Sequence, residues 1–229
     1  MVARRAQQLS EVAAQIDIPV RQFAIDLTTE VEALATALDE TKPSIQWLIN
    51  AVGYGPMGAI GDLPLGVEKG MIRLNCEALV AVTHISLPYM TRGSHIIQVA
   101  SIAGLVPQYN WGVYAATKAF VHSYSRTLHA ELAPKGITVT ALCASPTETE
   151  FFDVAAQHET LPFFENLKRL DAETVAIQAL RDAKRGKAES LPGVMAKSFK
   201  IVSKLLPIGL VLFVMRALIK KEATKNNPQ

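Results

Sequence analysis

The chain has 229 residues, 49% of them hydrophobic, with 23 Lys+Arg against 21 Asp+Glu for a net charge of +2. That is apolar material for one sizeable core, and so balanced a charge excludes the basic field that nucleic acid demands. Two cysteines, Cys76 and Cys143, exclude a disulfide framework and indicate a reducing, cytoplasmic compartment, and no Cys/His cluster has metal-ligand spacing.

Residues 2–16 carry Leu9, Val12, Ala13 and Ile16 at helical spacing and predict a helix, at an N-terminus without the apolar stretch of a secretory signal. A short strand is expected over 20–25 and a helix over 28–39, with Leu34 and Leu38 on one face. An apolar run at 45–49, broken by Gln46, reads as a strand and ends at the turn Gly53-Tyr54-Gly55-Pro56. Then follow a long helix over 67–90, a strand at 96–100, a helix over 111–132, a β-branched strand at 137–143 and a helix over 173–183. Strands alternating with helices imply crossover connections and a doubly wound parallel sheet, an α/β, Rossmann-like fold in three α/β/α layers. Ligands of such sheets sit beyond the carboxyl ends of the strands. The groups there are Asp26-Leu27, Asn50-Ala51-Val52-Gly53, Ser101 and Ala144-Ser145-Pro146-Thr147.

Tyr114 and Lys118 are four apart in a helix, so they share a face about one turn apart. A phenol titrates near ~10 in water, and a neighbouring ammonium favours its ionised form. The pair is an acid–base unit for an alcohol or a carbonyl. Ser101, thirteen positions before the tyrosine at a strand end, can donate a hydrogen bond to the same substrate oxygen. Gly112 and Ala115-Ala116 leave the backbone around Tyr114 open to a bulky ligand. No side chain carries a hydride, so redox chemistry at such a site needs a cofactor.

The stretches Val99-Ala100-Ser101-Ile102-Ala103-Gly104 and Tyr114-Ala115-Ala116-Thr117-Lys118-Ala119 resemble the short-chain dehydrogenase/reductase family, and the match runs along nearly the whole chain. The resemblance implies an NAD(P)-dependent oxidoreductase acting on a ketone or secondary alcohol. It implies that Tyr114 donates the proton in reduction and that Lys118 lowers its pKa and binds the nicotinamide ribose. Ser101 would hold the substrate oxygen, and Asn75, in Ile72-Arg73-Leu74-Asn75, would support a proton-relay water. Asp26-Leu27 resembles the family's contact to the adenine. Asn50 and Gly53 stand where the family writes Asn-Asn-Ala-Gly, here Asn50-Ala51-Val52-Gly53. Pro146-Thr147-Glu148-Thr149 resembles the segment whose last threonine binds the carboxamide. Val2-Ala3-Arg4-Arg5 resembles the end of the family's second strand. A basic residue there pairs with a 2′-phosphate, favouring NADP over NAD; a pair of solvated arginines at a helix start fits as well.

The sequence also departs from that pattern. It starts at what looks like the end of the second strand, with no glycine before Gly53 to form a phosphate loop. A truncated sheet lacking its inner strand is therefore expected, with unpaired backbone beside the gap. Either the chain is part of a longer product, or it is a short form kept as a non-catalytic binding or dimerisation module. The helices over 67–90 and 111–132 resemble the family's dimer face and imply a homo-oligomer. Residues 1–192 are expected to form the Rossmann-like domain and 193–229 a helical tail. The tail segment 194–221 is apolar and basic, and its longest apolar run, 205–215, contains Pro207. That is short of the ~20 residues a spanning helix needs. Lys197, Lys200 and Lys204, at helical spacing opposite an apolar face, fit a helix lying in a membrane interface; a lid and a dimer contact fit the same pattern. The aromatics of 150–170 point to an apolar substrate beneath a lid.

Overall fold

A computed structural model describes residues 1–156 and 168–226, with side chains to residue 217. Six parallel strands form two sheets. β1 (Val2–Ala3) pairs with β2 (Phe23–Ala24). β3 (Ile45–Asn50), β4 (Met90–Val99), β5 (Thr138–Leu142) and β6 (Glu189–Ser190) pair in that order. Among the described residues no strand lies between β1 and β3, so β3 has one open edge. The consequence is visible in Ile49, half exposed at 50% in a strand of inner-strand composition.

Helices cover both faces of the larger sheet. α1 (Ala6–Ala13) and α2 (Val31–Thr41) accompany the small sheet. α3 (Leu65–Ile72), a π turn over Arg73–Ala78 and α4 (Leu79–Ser86) form one continuous rod. α5 (Gly112–Leu132) lies beside that rod. Ile96 and Val139 pack on this side against Leu128 and Leu132. Alternation along the strands sends Ile97 and Leu142 to the other face, where they meet Val175 and Ala179 of α7 (Ala172–Lys184). Leu74 and Val82 of the rod share a cluster with Ile25, Leu27 and Leu34, and this joins the small sheet to the body.

Register places Asn50 beside Gln98. The Asn50 amide donates to Thr83 Oγ1 at 3.1 Å and Gln98 Oε1 at 2.9 Å, and Gln98 donates to the same threonine at 2.9 Å. Fully satisfied, such a buried network fixes the β3–β4 register against α4.

Several expected boundaries move. The helix expected over 2–16 is a strand followed by the eight residues of α1, because Val2 and Ala3 find backbone partners in β2. The helix expected over 67–90 ends at Ser86; Pro88 enters a 3₁₀ turn, and Met90 already begins β4. Strand β4 thus starts six residues before the expected 96, in a stretch whose polar residues hide the pattern. β6 and the short helix α6 (Phe151–Ala155) have no periodicity long enough to read. The tail forms α8 (Gly193–Leu205) and α9 (Ile208–Asn226), interrupted at Pro207, with Leu206 held extended before the proline.

Candidate active site

The chain arranges the site at the carboxyl ends of β3, β4 and β5. Ser101 follows β4 by two residues in extended conformation, and its Oγ accepts from Ala103 N at 3.1 Å, starting a 3₁₀ turn over Ile102–Leu105. Gly104 lets that turn lie directly on α5: a Cβ there would sit 2.4 Å from the Lys118 carbonyl carbon and 2.6 Å from Ala119 N. Ser101 therefore faces the first turn of α5, close enough to the Tyr114 hydroxyl to lower its pKa.

Tyr114 is deeply buried. Its ring stacks on Trp111, with centroids 4.4 Å apart, and leans on Phe151 at 5.4 Å. Gly55 lies against its other side, where a Cβ would come within 2.2 Å of the ring. Trp111 Nε1 donates to Gly55 O at 2.8 Å, so the 53–56 turn and the tyrosine are locked together. Burial raises the Tyr114 pKa well above the ordinary phenol value, and the Ser101 hydrogen bond opposes this only in part. Lys118, which the resemblance implies lowers it, is engaged elsewhere in this geometry. The Lys118 Nζ lies 5.8 Å from the ring centroid and donates to Val99 O at 2.7 Å. Desolvation instead brings Lys118 itself down to about 8.

Asn75 sits inside the π turn, whose extra backbone residue rotates the side chain inward. Its Nδ2 donates to Tyr54 O at 2.9 Å and Thr117 Oγ1 at 3.0 Å, and its Oδ1 accepts from Tyr54 N at 3.1 Å. Thr117 Oγ1 in turn donates to Tyr114 O at 2.8 Å. The Asn75 side chain thus ties the glycine turn to the helix that carries Tyr114. Beside it the adjacent thiol, Cys76, is pushed up to about 11 by burial.

Ser101, Tyr114 and Lys118 line one cavity of about 750 Å³, together with Gly53, Pro146, Thr147 and Thr149. A Cβ on Gly53 would stand 3.0 Å from Asn75 Oδ1 and 3.3 Å from Lys118 Nζ, so only glycine keeps that approach open. The remaining wall is mostly apolar. Trp111 and Phe152 form one side, and Met195, Phe199, Val202 and Leu206 of the tail form another. A lid was among the expected alternatives for the tail, but these side chains were not singled out; their signal is the spacing of 195, 199 and 202 along one helix face. Trp111 was legible only as a helix start, although three residues before Tyr114 puts it on the same face.

Other expected site residues stand outside the cavity. Arg4 lies 3.9 Å from Asp26, and Arg5 reaches Glu150 at 3.0 Å. Asp26 accepts from Thr28 N at 2.9 Å and Thr28 Oγ1 at 2.6 Å, which holds its carboxyl below the usual range. Leu27 is in the core, and the Asn50 amide is committed to Thr83 and Gln98. In the tail, Lys200 does not project outward with Lys197 and Lys204. It turns in to pair with Glu189, which also meets His122 at 2.7 Å and Arg126 at 3.8 Å. The expected lid residues 161–164 lie outside the described residues.

Parallel strands, strand-end serine and a buried Tyr-x-x-x-Lys pair define an oxidoreductase of the Rossmann-like class. The sequence profile described as short chain dehydrogenase matches residues 1–160, and the chain belongs to that family. It is 31% identical to a probable NADP-dependent dehydrogenase of Haemophilus influenzae over 76% of this chain and 72% of that one. Its fold is similar to a 7β-hydroxysteroid dehydrogenase (TM-score 0.78, 18% identity, 94% of this chain and 85% of that one). It is also similar to a bulky-bulky ketone specific alcohol dehydrogenase of Comamonas testosteroni (TM-score 0.69, 25% identity, 89% and 80%).

Proposed function

We propose that this chain catalyses NAD(P)-dependent reduction of a bulky apolar ketone to a secondary alcohol, with Tyr114 as proton donor. The observation that carries the reading is the meeting of Ser101, Tyr114 and Lys118 in one largely apolar cavity of about 750 Å³, a volume suited to a small-molecule substrate. The phenol is protonated near neutral pH at its ordinary value of ~10, and burial raises it further, which suits donation to a carbonyl. Ser101 orients the substrate oxygen toward that hydroxyl. Trp111, Phe152 and the tail exclude water and offer apolar contact.

The residues present fit a nicotinamide at one end. Gly53, Thr149, Tyr114 and Lys118 surround an approach that a Cβ would close. When bound, the cofactor supplies the hydride. Lys118 would exchange its bond to Val99 O for the ribose hydroxyls. Arg4 and Arg5, just after β1, would be the contacts to a 2′-phosphate. Their position, and the likeness to a probable NADP-dependent dehydrogenase, support NADP over NAD. A cavity wall of large apolar side chains agrees with the ketone class named for the Comamonas relative.

A second reading is a non-catalytic binding or dimerisation module, favoured by the open edge of β3. Titration of the full chain with NADPH and NADH, followed by nicotinamide fluorescence, separates the two. Saturable binding, tighter for NADPH, is expected. Absence of binding by either at millimolar concentration removes the enzyme reading.

A further inference from the structure

The outward face of α8 and α9 is apolar and basic, and no described residue covers it. Val194, Ile201 and Leu205 lie seven and four residues apart on one stripe of α8, 79%, 60% and 75% exposed. Ile208 and Phe213 extend the exposed apolar surface on α9, Phe213 to 69%. Single exposed apolar residues are ordinary on a protein surface, but a concentration in two consecutive helices is not. Lys197 and Lys204 are exposed along the flank of the stripe. Between Ser190 and Lys221 the sequence has no Asp or Glu, and its cations are Lys197, Lys200, Lys204, Arg216, Lys220 and Lys221. Among those whose side chains are described, Lys200 pairs with Glu189, which fastens α8 to the body with its apolar stripe outward. Among the described residues no helix is long and apolar enough to cross a membrane.

We infer that α8 and α9 form an interfacial surface that docks on an anionic lipid bilayer. The stripe would enter the acyl boundary while Lys197 and Lys204 reach the headgroup phosphates. Charge decides the occupant. A twofold contact with a second copy brings this face onto itself and sets lysine against lysine with no acid in the segment; an anionic surface neutralises the same cations. The inner face of α8 supplies Met195, Phe199 and Val202 to the cavity. Val211, Val214 and Met215 of α9 line the same cavity, so docking places these two helices between the lipid and the cavity. The docking itself does not depend on the proposed oxidoreductase activity.

The test is co-sedimentation of the full chain with vesicles of phosphatidylcholine alone and of phosphatidylcholine with about one-third phosphatidylglycerol. The chain is expected to bind the anionic vesicles, and each of Lys197→Gln and Lys204→Gln to weaken binding about fivefold. Ile201→Ser combined with Leu205→Ser is expected to weaken it more than about tenfold. These side chains are solvent-exposed, so unchanged circular dichroism and melting separate lost docking from lost folding. Failure of the wild type to sediment with anionic vesicles overturns the inference, as does equal binding by the double-serine variant. A dimer in sedimentation velocity that the same serines dissociate, without vesicle binding, assigns the face to a second copy instead.

Discussion

Replacing Lys118 by methionine tests how the site balances burial against charge. Lys118 is buried at the wall of the cavity, and its ammonium donates to Val99 O at 2.7 Å. Desolvation brings its pKa from 10.5 to about 8, with Cys76 opposing weakly. Below about 8 both folded and unfolded chains hold the proton, and the native state bears the full cost of burying it. Between about 8 and 10.5 the folded lysine is neutral while the unfolded one still binds a proton, so stability rises with pH across this window. The displacement corresponds to about 3 kcal/mol. Methionine fills a similar stem volume without the charge, but it leaves the Val99 carbonyl without its donor, a loss of about 1–2 kcal/mol. Lys118→Met is therefore expected to be more stable than wild type by about 1–2 kcal/mol near pH 7. That advantage should vanish or reverse near pH 10 as the wild type catches up. Urea unfolding of both chains across this range gives the difference directly, and groups common to both cancel. Two stability–pH curves that run parallel would refute the argument that Lys118 is held against its own desolvation. If the proposed function holds, activity is expected to give the opposite ranking, with the more stable variant the less active one.

Tyr114→Phe keeps the stacking on Trp111 and removes only the hydroxyl, so turnover should fall by about 10²–10⁴ while nicotinamide binding is unchanged; steady-state rates beside a binding titration check this. Gly104→Ala drives a Cβ into the Lys118 backbone at 2.4 Å. Backbone cannot yield as a side chain can, and a loss of at least about 2 kcal/mol in urea unfolding is expected. Glu189→Gln takes the carboxylate from among Lys200, His122 and Arg126 at a cost of about 1–3 kcal/mol, and it should release α8 first. Limited proteolysis should then cut within Gly193–Leu205, where the wild type resists; equal resistance would show that apolar packing alone holds the helix.

Much of the fold was legible because its signals are local. Helix α5 runs from Gly112 to Leu132 within one residue of the expected span, since apolar spacing and helix formers agree throughout. β3 and β5 are short apolar runs bounded by polar residues and end within a residue of expectation. The pair Tyr114 and Lys118 was legible because four residues in a helix fix a common face. What failed has non-local causes. Val2–Ala3 becomes a strand only because Phe23–Ala24 is there to pair with it. Lys200 looked like one of three outward lysines, yet Glu189 draws it inward from another element. The π turn that rotates Asn75 inward depends on Thr117 and Tyr54 as partners, and spacing within 67–90 does not show it.

The sequence alone determined the chemistry on offer: a strand-end serine, a tyrosine and a lysine one helical turn apart, and the family they belong to. It also determined the tail's composition, since apolar residues and lysines without acids are a property of the chain at any conformation. Only the tertiary structure decided how strongly each group is perturbed, because desolvation depends on what packs from every side. Trp111, Phe151 and Gly55, brought together from three places in the chain, bury Tyr114 enough to raise its pKa where helical spacing to Lys118 alone predicted a fall. The tertiary structure likewise decided which face of the tail lines the cavity and which is left bare, because partners on other elements, Glu189 for Lys200 among them, meet one side of α8, and rotation about a helix axis is not written in its periodicity.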